Sequence, residues 1–291
     1  MEIDVLGTTF TDVVVKIDHL DMKFDNLVFS EQAKISAGGN GSNVAINLSK
    51  NDIHINYHGL IGNDHGGQVI VSEFDKYKIN YDSTNFITNG STGISLVLVE
   101  KSGEKAIASY QGLNDNYDEL ELHKINNSVA VCGLGLMPKF EKNRLKEVFK
   151  HTKIIHKNSY AGTSANVTKM KSYLLNGSLC NLDFLFLNAR EILDAAKLDD
   201  IQEAARFILK NGVKNVIVTE GKNGATLFRR NCTPIHKNSP YVKAVDTTGA
   251  GDAFMSGFIM EFEKNGDYSR ALVKGNELGS INVMSIGAIN N

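Results

Sequence analysis

Two hydrophobic periods alternate along this chain. Runs that are apolar at nearly every position, IDVLG (3–7), VAVCGLGL (129–136), DFLFLN (183–188) and NVIVTEG (215–221), predict strands buried on both faces. TKIIH (152–156) and INYHGLIG (55–62) are read as strands on the same grounds. Between them lie segments with helical spacing. GGQVIVSEFDKY (66–77) is one; in DDIQEAARFILKNG (199–212), Ile201, Ala205 and Ile208 share a face, Asp199 or Asp200 supplies an N-cap and Asn211-Gly212 a stop. A short helix is expected in NVAINLSKND (43–52), after the glycine turn SAGGNGSN (36–43). Strands alternating with helices of about 10 to 15 residues predict an α/β protein with a mainly parallel sheet covered on both faces.

Four segments break that pattern. DVVVKIDHL (12–20), MKFDNLVFS (22–30), TGISLVLVE (92–100) and KAIASYQG (105–112) partly alternate between apolar and polar residues, as strands with one solvent face do, and the last two flank a hairpin loop at 101–104. They do not fit a doubly buried sheet. They predict a separate, half-exposed β-structure placed to cover a cleft.

Length, 291 residues, allows one large α/β domain or two small ones. A formal net charge of -2 with both signs scattered leaves no basic face, so neither nucleic acid nor an anionic membrane is expected as partner. The cysteines, Cys132, Cys180 and Cys232, are far apart and odd in number, which points to free thiols in a reducing compartment. The N-terminus lacks a basic segment followed by an apolar run, and no stretch approaches about 18 uninterrupted apolar residues. A cytoplasmic protein is the expectation. His54 and His58 lie in a strand-like segment, where four residues span roughly 13 Å, too far for one metal ion.

The densest chemistry is DTTGAGDAF (246–254), set in VKAVDTTGAGDAFMSGFIMEFEKNG (242–266). A short strand is expected to run through this turn into a helix striped by Phe254, Phe258 and Phe262, so that the backbone N–H groups of Gly249, Ala250 and Gly251 converge at the helix start and favour an anion. Asp252 in the first turn has two readings. It is either a favourable partner of the helix dipole, or a base that takes the proton of a hydroxyl attacking a phosphoryl group held by the turn. The motif is not GxxxxGK[ST], and Gly7 is followed by Thr8-Thr9 rather than completing GxGxxG, which argues against a hydride-transfer enzyme.

Three further constellations carry polar groups at turns. GGNGSNVA (38–45) and GLIGNDHGG (59–67) present amides and carboxylates suited to a polyhydroxylated ligand, which Asp12 can join, though GGNGSN also serves as a plain loop and N-cap. NAREI places Asn188 and Glu191 on one helix face beyond an apolar strand, where a carboxylate can hold hydrated Mg²⁺ and an amide can meet phosphate; the spacing equally suits solvated helix surface. TEGKNGATLF (219–228) reads either as strand, tight turn and return strand or as a nucleotide contact at a strand end.

In order and spacing these elements resemble the ribokinase-like carbohydrate kinases, the PfkB family. Gly38-Gly39-Asn40-x-x-Asn43-x-Ala45 with Gly62-Asn63-Asp64 matches the first family signature; Asp246 to Phe254 with Gly257 matches the second; Asn188-x-x-Glu191 and Thr219-x-Gly221-x-x-Gly224 match the motifs between. The resemblance implies a three-layer α/β fold as a single kinase domain over 1–291, with a small β-sheet lid from 10–37 and 90–112 that often forms a dimer clasp. It implies Asp252 as base with Gly249, Ala250 and Gly251 as anion hole, and Asp12, Gly38, Gly39, Asn40 and Asn43 as sugar site. Asn188, Thr219, Gly221, Gly224 and, more weakly, Asn276 would serve ATP, Glu191 would act on Mg²⁺ through water, and Asp246 would lie at a monovalent cation (K⁺) site. The expected activity is ATP-dependent phosphorylation of a primary hydroxyl on a ribose-, fructose- or ketodeoxygluconate-like sugar. A nucleoside kinase of the same fold is the alternative, and a non-catalytic sugar or nucleotide sensor is a third reading. A phosphosugar acceptor is disfavoured by neutral Asn40 where a lysine could sit.

Overall fold

The computed structural model describes residues 1–19, 27–30, 32–82, 86–87, 89–101, 104–118, 121–164 and 167–289. The chain opens with β1 (Glu2–Gly7), β2 (Phe10–Ile17) and β3 (Gln32–Gly38), then α1 (Asn40–Ser49), β4 (His54–His58), β5 (Ile61–Gly62), α2 (His65–Lys76), β6 (Asn80–Tyr81), β7 (Phe86–Ile87), β8 (Gly93–Glu100) and β9 (Lys105–Tyr110). There follow β10 (Ser128–Leu134), α3 (Pro138–Asn143), α4 (Leu145–Ile154), β11 (Ser159–Thr163), α5 (Met170–Leu175), β12 (Phe184–Asn188), α6 (Ala189–Ala196), α7 (Ile201–Lys210), β13 (Asn215–Thr219), β14 (Ala225–Arg229), β15 (Ile235–Lys237), α8 (Ala250–Asn265) and α9 (Tyr268–Asn282).

The large sheet has the order β15-β14-β13-β12-β11-β10-β1-β4-β6, parallel from β13 to β6 with β14 and β15 added antiparallel. Its strands are apolar on both faces because both faces are covered. In β12, Phe184 and Phe186 face α1, α2, α8 and α9, whereas Leu185 and Leu187 face the layer built from α3 to α7. Phe258 stacks on Phe262, and Phe184 meets both rings. The result is the three-layer α/β arrangement expected.

A second sheet, β3-β2-β8-β9, has a small buried row of its own, in which Val14, Val97 and Val99 pack on Ile286. It hangs from the large sheet through Thr9, whose backbone exchanges two hydrogen bonds with the Asn114 amide (3.1 and 2.8 Å).

Several sequence expectations are corrected. TKIIH is not a strand: its first three residues close α4 and the strand follows at β11, because the apolar residues of 145–154 follow helical spacing, with Leu145, Val148, Phe149 and Thr152 buried. Residues 242–245 form no strand; the segment before DTTGAGD is irregular and is pinned by hydrogen bonds from Val245 and Asp246 to the Val283 carbonyl. Of the strand expected at 22–30, residues 22–26 lie outside the described residues and 27–30 are irregular; β2 instead pairs with β3. The helix expected from 43 begins at Asn40. In 55–62 the chain forms β4 and the two-residue β5 rather than one strand. Among the described residues no helix is long and apolar enough to cross a membrane.

Candidate active site

After β1 the chain builds β4 and β6 on one side, then returns to add β10 to β13 on the other. The loops leaving the carboxyl ends of β1 and β10 therefore diverge, and open parallel sheets bind ligands in the crevice such a reversal leaves. α1 begins in that crevice. Gly7 and Gly41 lie so close that a Cβ on either would come within 2.7 Å of the other's backbone, and a Cβ on Gly133, near the end of β10, would lie 3.2 Å from Asn40 Oδ1.

α8 starts beside α1, and the carboxylate in its first turn is held from there. Asn40 Nδ2 donates to Asp252 Oδ1 at 2.9 Å and Asn43 Nδ2 donates to Oδ2 at 2.8 Å. Asp252 is 9% exposed, and burial pushes its carboxyl up to about 6, against the lowering effect of the two amides and with added repulsion from Glu191. Dipole compensation alone needs no such enclosure. Among the described residues, the first-turn N–H groups of Gly251 and Asp252 donate to no carbonyl of the preceding turn, while the Ala250 N–H turns to the Thr247 carbonyl at 3.3 Å. Gly251 is exposed, with no heavy atom within 4 Å of where its Cβ would be.

Asp12, on β2, faces the same space from the small sheet. Its carboxyl group occupies the place a Cβ at Gly38 would take, which explains the glycine at the end of β3. Burial, with repulsion from Asp252 and Asp246, pushes Asp12 up to about 7, while the Lys105 charge opposes the shift. Two buried carboxylates with raised values thus flank one cleft, an arrangement that marks functional sites.

Asp246 behaves differently. Its Oδ1 accepts from the Thr248 N–H (2.9 Å) and hydroxyl (2.7 Å), and its Oδ2 accepts from the Gly287 N–H (2.9 Å). Desolvation alone would raise this carboxyl; the hydrogen bonds from Thr248 and Gly287 outweigh it and the value is lowered. Asp246 braces the turn that leads to Gly249, which sits at φ 75° against Ala288, a backbone that disfavours any side chain.

The other motifs lie at the ends of β12 and β13, which are adjacent and in register at Asn188 and Thr219. Asn188 and Glu191 form a capping box: the Glu191 N–H donates to Asn188 Oδ1 (2.8 Å) and the Asn188 N–H to Glu191 Oε2 (2.9 Å), which also accepts from the Thr163 hydroxyl (2.8 Å). Burial raises the Glu191 carboxyl. Gly221 opens and Gly224 closes the turn between β13 and β14, so TEGKNGATLF is a strand, a 3-10 turn and a return strand. Buried Asn276 donates to the carbonyls of Lys237 (2.8 Å) and Asn238 (3.3 Å), fixing the segment after β15.

Asp64 does not face the cleft as a ligand group: it caps α2 and accepts from the Thr92 N–H (2.9 Å) and hydroxyl (2.7 Å), tying that helix to the start of β8. Lys105, unmarked in the sequence, donates to the Thr248 hydroxyl at 2.9 Å from across the cleft. No sequence signal singled it out, since β9 alternates like its neighbour and Lys105 opens it.

With this geometry in hand, comparison with known proteins places the chain in a family. The model of the pfkB family carbohydrate kinases matches residues 2–291, and the chain belongs to that family of phosphotransferases. Ribokinase of Haemophilus influenzae is 26% identical over 290 residues, covering 98% of this chain and 92% of that protein. ATP-dependent ribose-1-phosphate kinase of Halopiger xanaduensis is 26% identical over 282 residues, covering 95% and 90%. The crystal structure of adenosine kinase from Sinorhizobium meliloti superposes with a TM-score of 0.84 at 17% identity, covering 99% and 95%, and shows the shared fold. The protein is thus a ribokinase-family kinase of sugars or nucleosides.

Proposed function

We propose that the protein transfers the γ-phosphoryl group of ATP to a primary hydroxyl of a neutral ribose-like sugar. The observation that carries the reading is the Asp252 carboxylate, held by Asn40 and Asn43 beside the open first turn of α8. In this reading Asp252 accepts the acceptor's proton while its oxygen bonds to the γ-phosphorus and the bond to the β–γ bridging oxygen breaks, releasing ADP. The N–H groups of Gly251 and Asp252, with Gly249 and Ala250 shaping the turn, meet the phosphoryl oxygens. Asp12 and the Gly38-Gly39 turn hold the sugar hydroxyls; Asn40 and Asn43 position Asp252 and border the same pocket.

Asn188, Thr219, Gly221, Gly224 and the segment held by Asn276 form the nucleotide side. The residues fit a hydrated Mg²⁺: both hydrogen bonds to the Glu191 carboxylate described above fall on Oε2, leaving Oε1 to face a metal-bound water, and the ion would neutralise phosphate charge. A K⁺ ion at Asp246 would share that carboxylate with Thr248 and Gly287 and stiffen the same turn. The small sheet is the lid. Its outer face aligns Ile35, Val13, Leu96 and Ala108 across four strands, and Ile35 is 62% exposed, Leu96 39% and Tyr110 60%, which suits a second copy of the chain docked lid to lid in the cytoplasm. Leu96→Lys is expected to shift the protein to monomer in light scattering; an unchanged mass removes this dimer.

The kinase reading is tested by ADP release across a panel of ribose, deoxyribose, fructose, ribose 1-phosphate and nucleosides. Turnover fastest with a free sugar is expected. Turnover only with nucleosides favours the nucleoside alternative, which the same pocket also admits, and binding without any turnover overturns catalysis.

A further inference from the structure

The cleft is short of positive charge. Asp12, Asp246, Asp252 and Glu191 all border it, and the neutral Asn40 and Asn43 are both occupied in holding Asp252. MgATP adds further negative charge at the point where phosphoryl oxygens must gather, and in a partly desolvated cleft such repulsion is strong. Among the described residues, the cation hydrogen-bonded to the 246–252 loop is Lys105, and it comes from the lid.

Its place on the lid is set by register. Lys105 opposes Val99, and Val99 lies in the buried row with Val97 and Val14, so cross-strand pairing puts Lys105 on the underside that also carries Asp12. The Thr248 hydroxyl it touches is itself braced by Asp246, one residue before Gly249. The ammonium charge is felt by both Asp12 and Asp246, which it lowers. A lysine on an exposed edge strand has open solvent as its alternative, and this one instead reaches the phosphoryl turn.

Resting on the kinase reading above, we propose that Lys105 is the lid's charge-compensating group: closing the lid brings its ammonium against the oxygens of the transferring phosphoryl group, so that acceptor enclosure and stabilisation of the transition state are one event. Lys105 stays protonated throughout and exchanges no proton; its part is electrostatic, like that of a cation supplied by a separate element in other phosphoryl transfers.

The test uses Lys105→Gln and Lys105→Arg in the full chain. Lys105→Gln is expected to lower kcat by about 10²-fold, as loss of one preorganised electrostatic contact does, with acceptor KM changed by less than about threefold and an unchanged melting temperature. Lys105→Arg restores most of the loss. If kcat of the Gln variant stays within about threefold of the parent, or if the loss falls on acceptor KM alone, Lys105 only docks the lid and the proposal is overturned. A second readout does not need turnover. The parent is expected to bind β,γ-imido ATP with Mg²⁺ more tightly than ADP, and Lys105→Gln to reduce that preference about tenfold; an equal preference in both proteins also overturns the proposal. A parent that turns over no acceptor while keeping this binding difference defeats the kinase reading and leaves Lys105 as a γ-phosphate ligand.

Discussion

The two ends of the 246–252 loop carry the same side chain in opposite states. Asp246 is lowered because three donors, two of them backbone N–H groups, converge on it and outweigh burial. Asp252, six residues on, meets only two side-chain amides in a more closed environment, and burial wins. The difference teaches that donor supply, not burial alone, separates a carboxyl that is held low from one that is pushed up. Backbone donors are fixed by the turn itself, whereas amides from α1 hold Asp252 in place without abolishing its basicity.

Breaking the Asp252 end has the largest expected effect. Asp252→Asn keeps the shape and is expected to lower kcat at least about 10²-fold with nucleotide affinity retained; unchanged ADP release would remove Asp252 as base. The same variant reports on pH. Asp252 and Asp12 are raised to about 6 and 7, so their ionisation costs stability that is absent below the ordinary value near 4 and appears as pH rises through about 6 to 7. The parent should therefore lose activity as pH falls through about 6, and its melting temperature should drop more than that of Asp252→Asn between pH 5 and pH 8.

Breaking the brace comes next. Asp246→Ala strands the N–H groups of Thr248 and Gly287 and is expected to cost about 2–4 kcal/mol by denaturant unfolding. Because its carboxyl is lowered, its contribution is complete above about pH 4 and is lost only as pH falls below that, opposite in sense to Asp252. A variant as stable as the parent at pH 7 would erase the contrast. The smallest effect sharpens it: Glu191→Gln removes a charge that raises Asp252, so the acid limb of kcat/KM should move to lower pH by a few tenths of a unit, and no movement would mean the two carboxylates do not communicate.

Much of this was legible beforehand, for local reasons. β12 and β13 are continuous apolar runs, and α7 carries its own N-cap, Asp200, and its own stop at Asn211-Gly212, so each element announces itself within a few residues. TKIIH misled because an apolar pair at a helix end is indistinguishable from a strand by composition. The glycines of DTTGAGD marked the α8 start correctly, yet the neighbouring VKAV took no strand because its backbone partner is the single Val283 carbonyl at the end of α9, which offers no ladder to pair with.

Within the site, Asn188-x-x-Glu191 was visible as a pair, but its capping-box geometry decides that Oε2 is engaged by the chain itself. Asn40 and Asn43 were visible as amides at a turn; that they hold Asp252 depends on α1 packing beside α8, 212 and 209 residues away in sequence. Lys105 was not visible at all, because a lysine on an alternating strand is ordinary until the lid is laid over Thr248.

By itself the sequence determined the order of elements, the family motifs and the residue types available for phosphoryl transfer, since periodicity, caps and glycine turns act over short spans of chain. Tertiary structure alone decided which carboxyl is lowered by its donors and which is raised by burial, and which cation lies beside them. Those properties depend on burial and on donors drawn from distant segments, and they exist only once α1, α8 and the lid share one cleft.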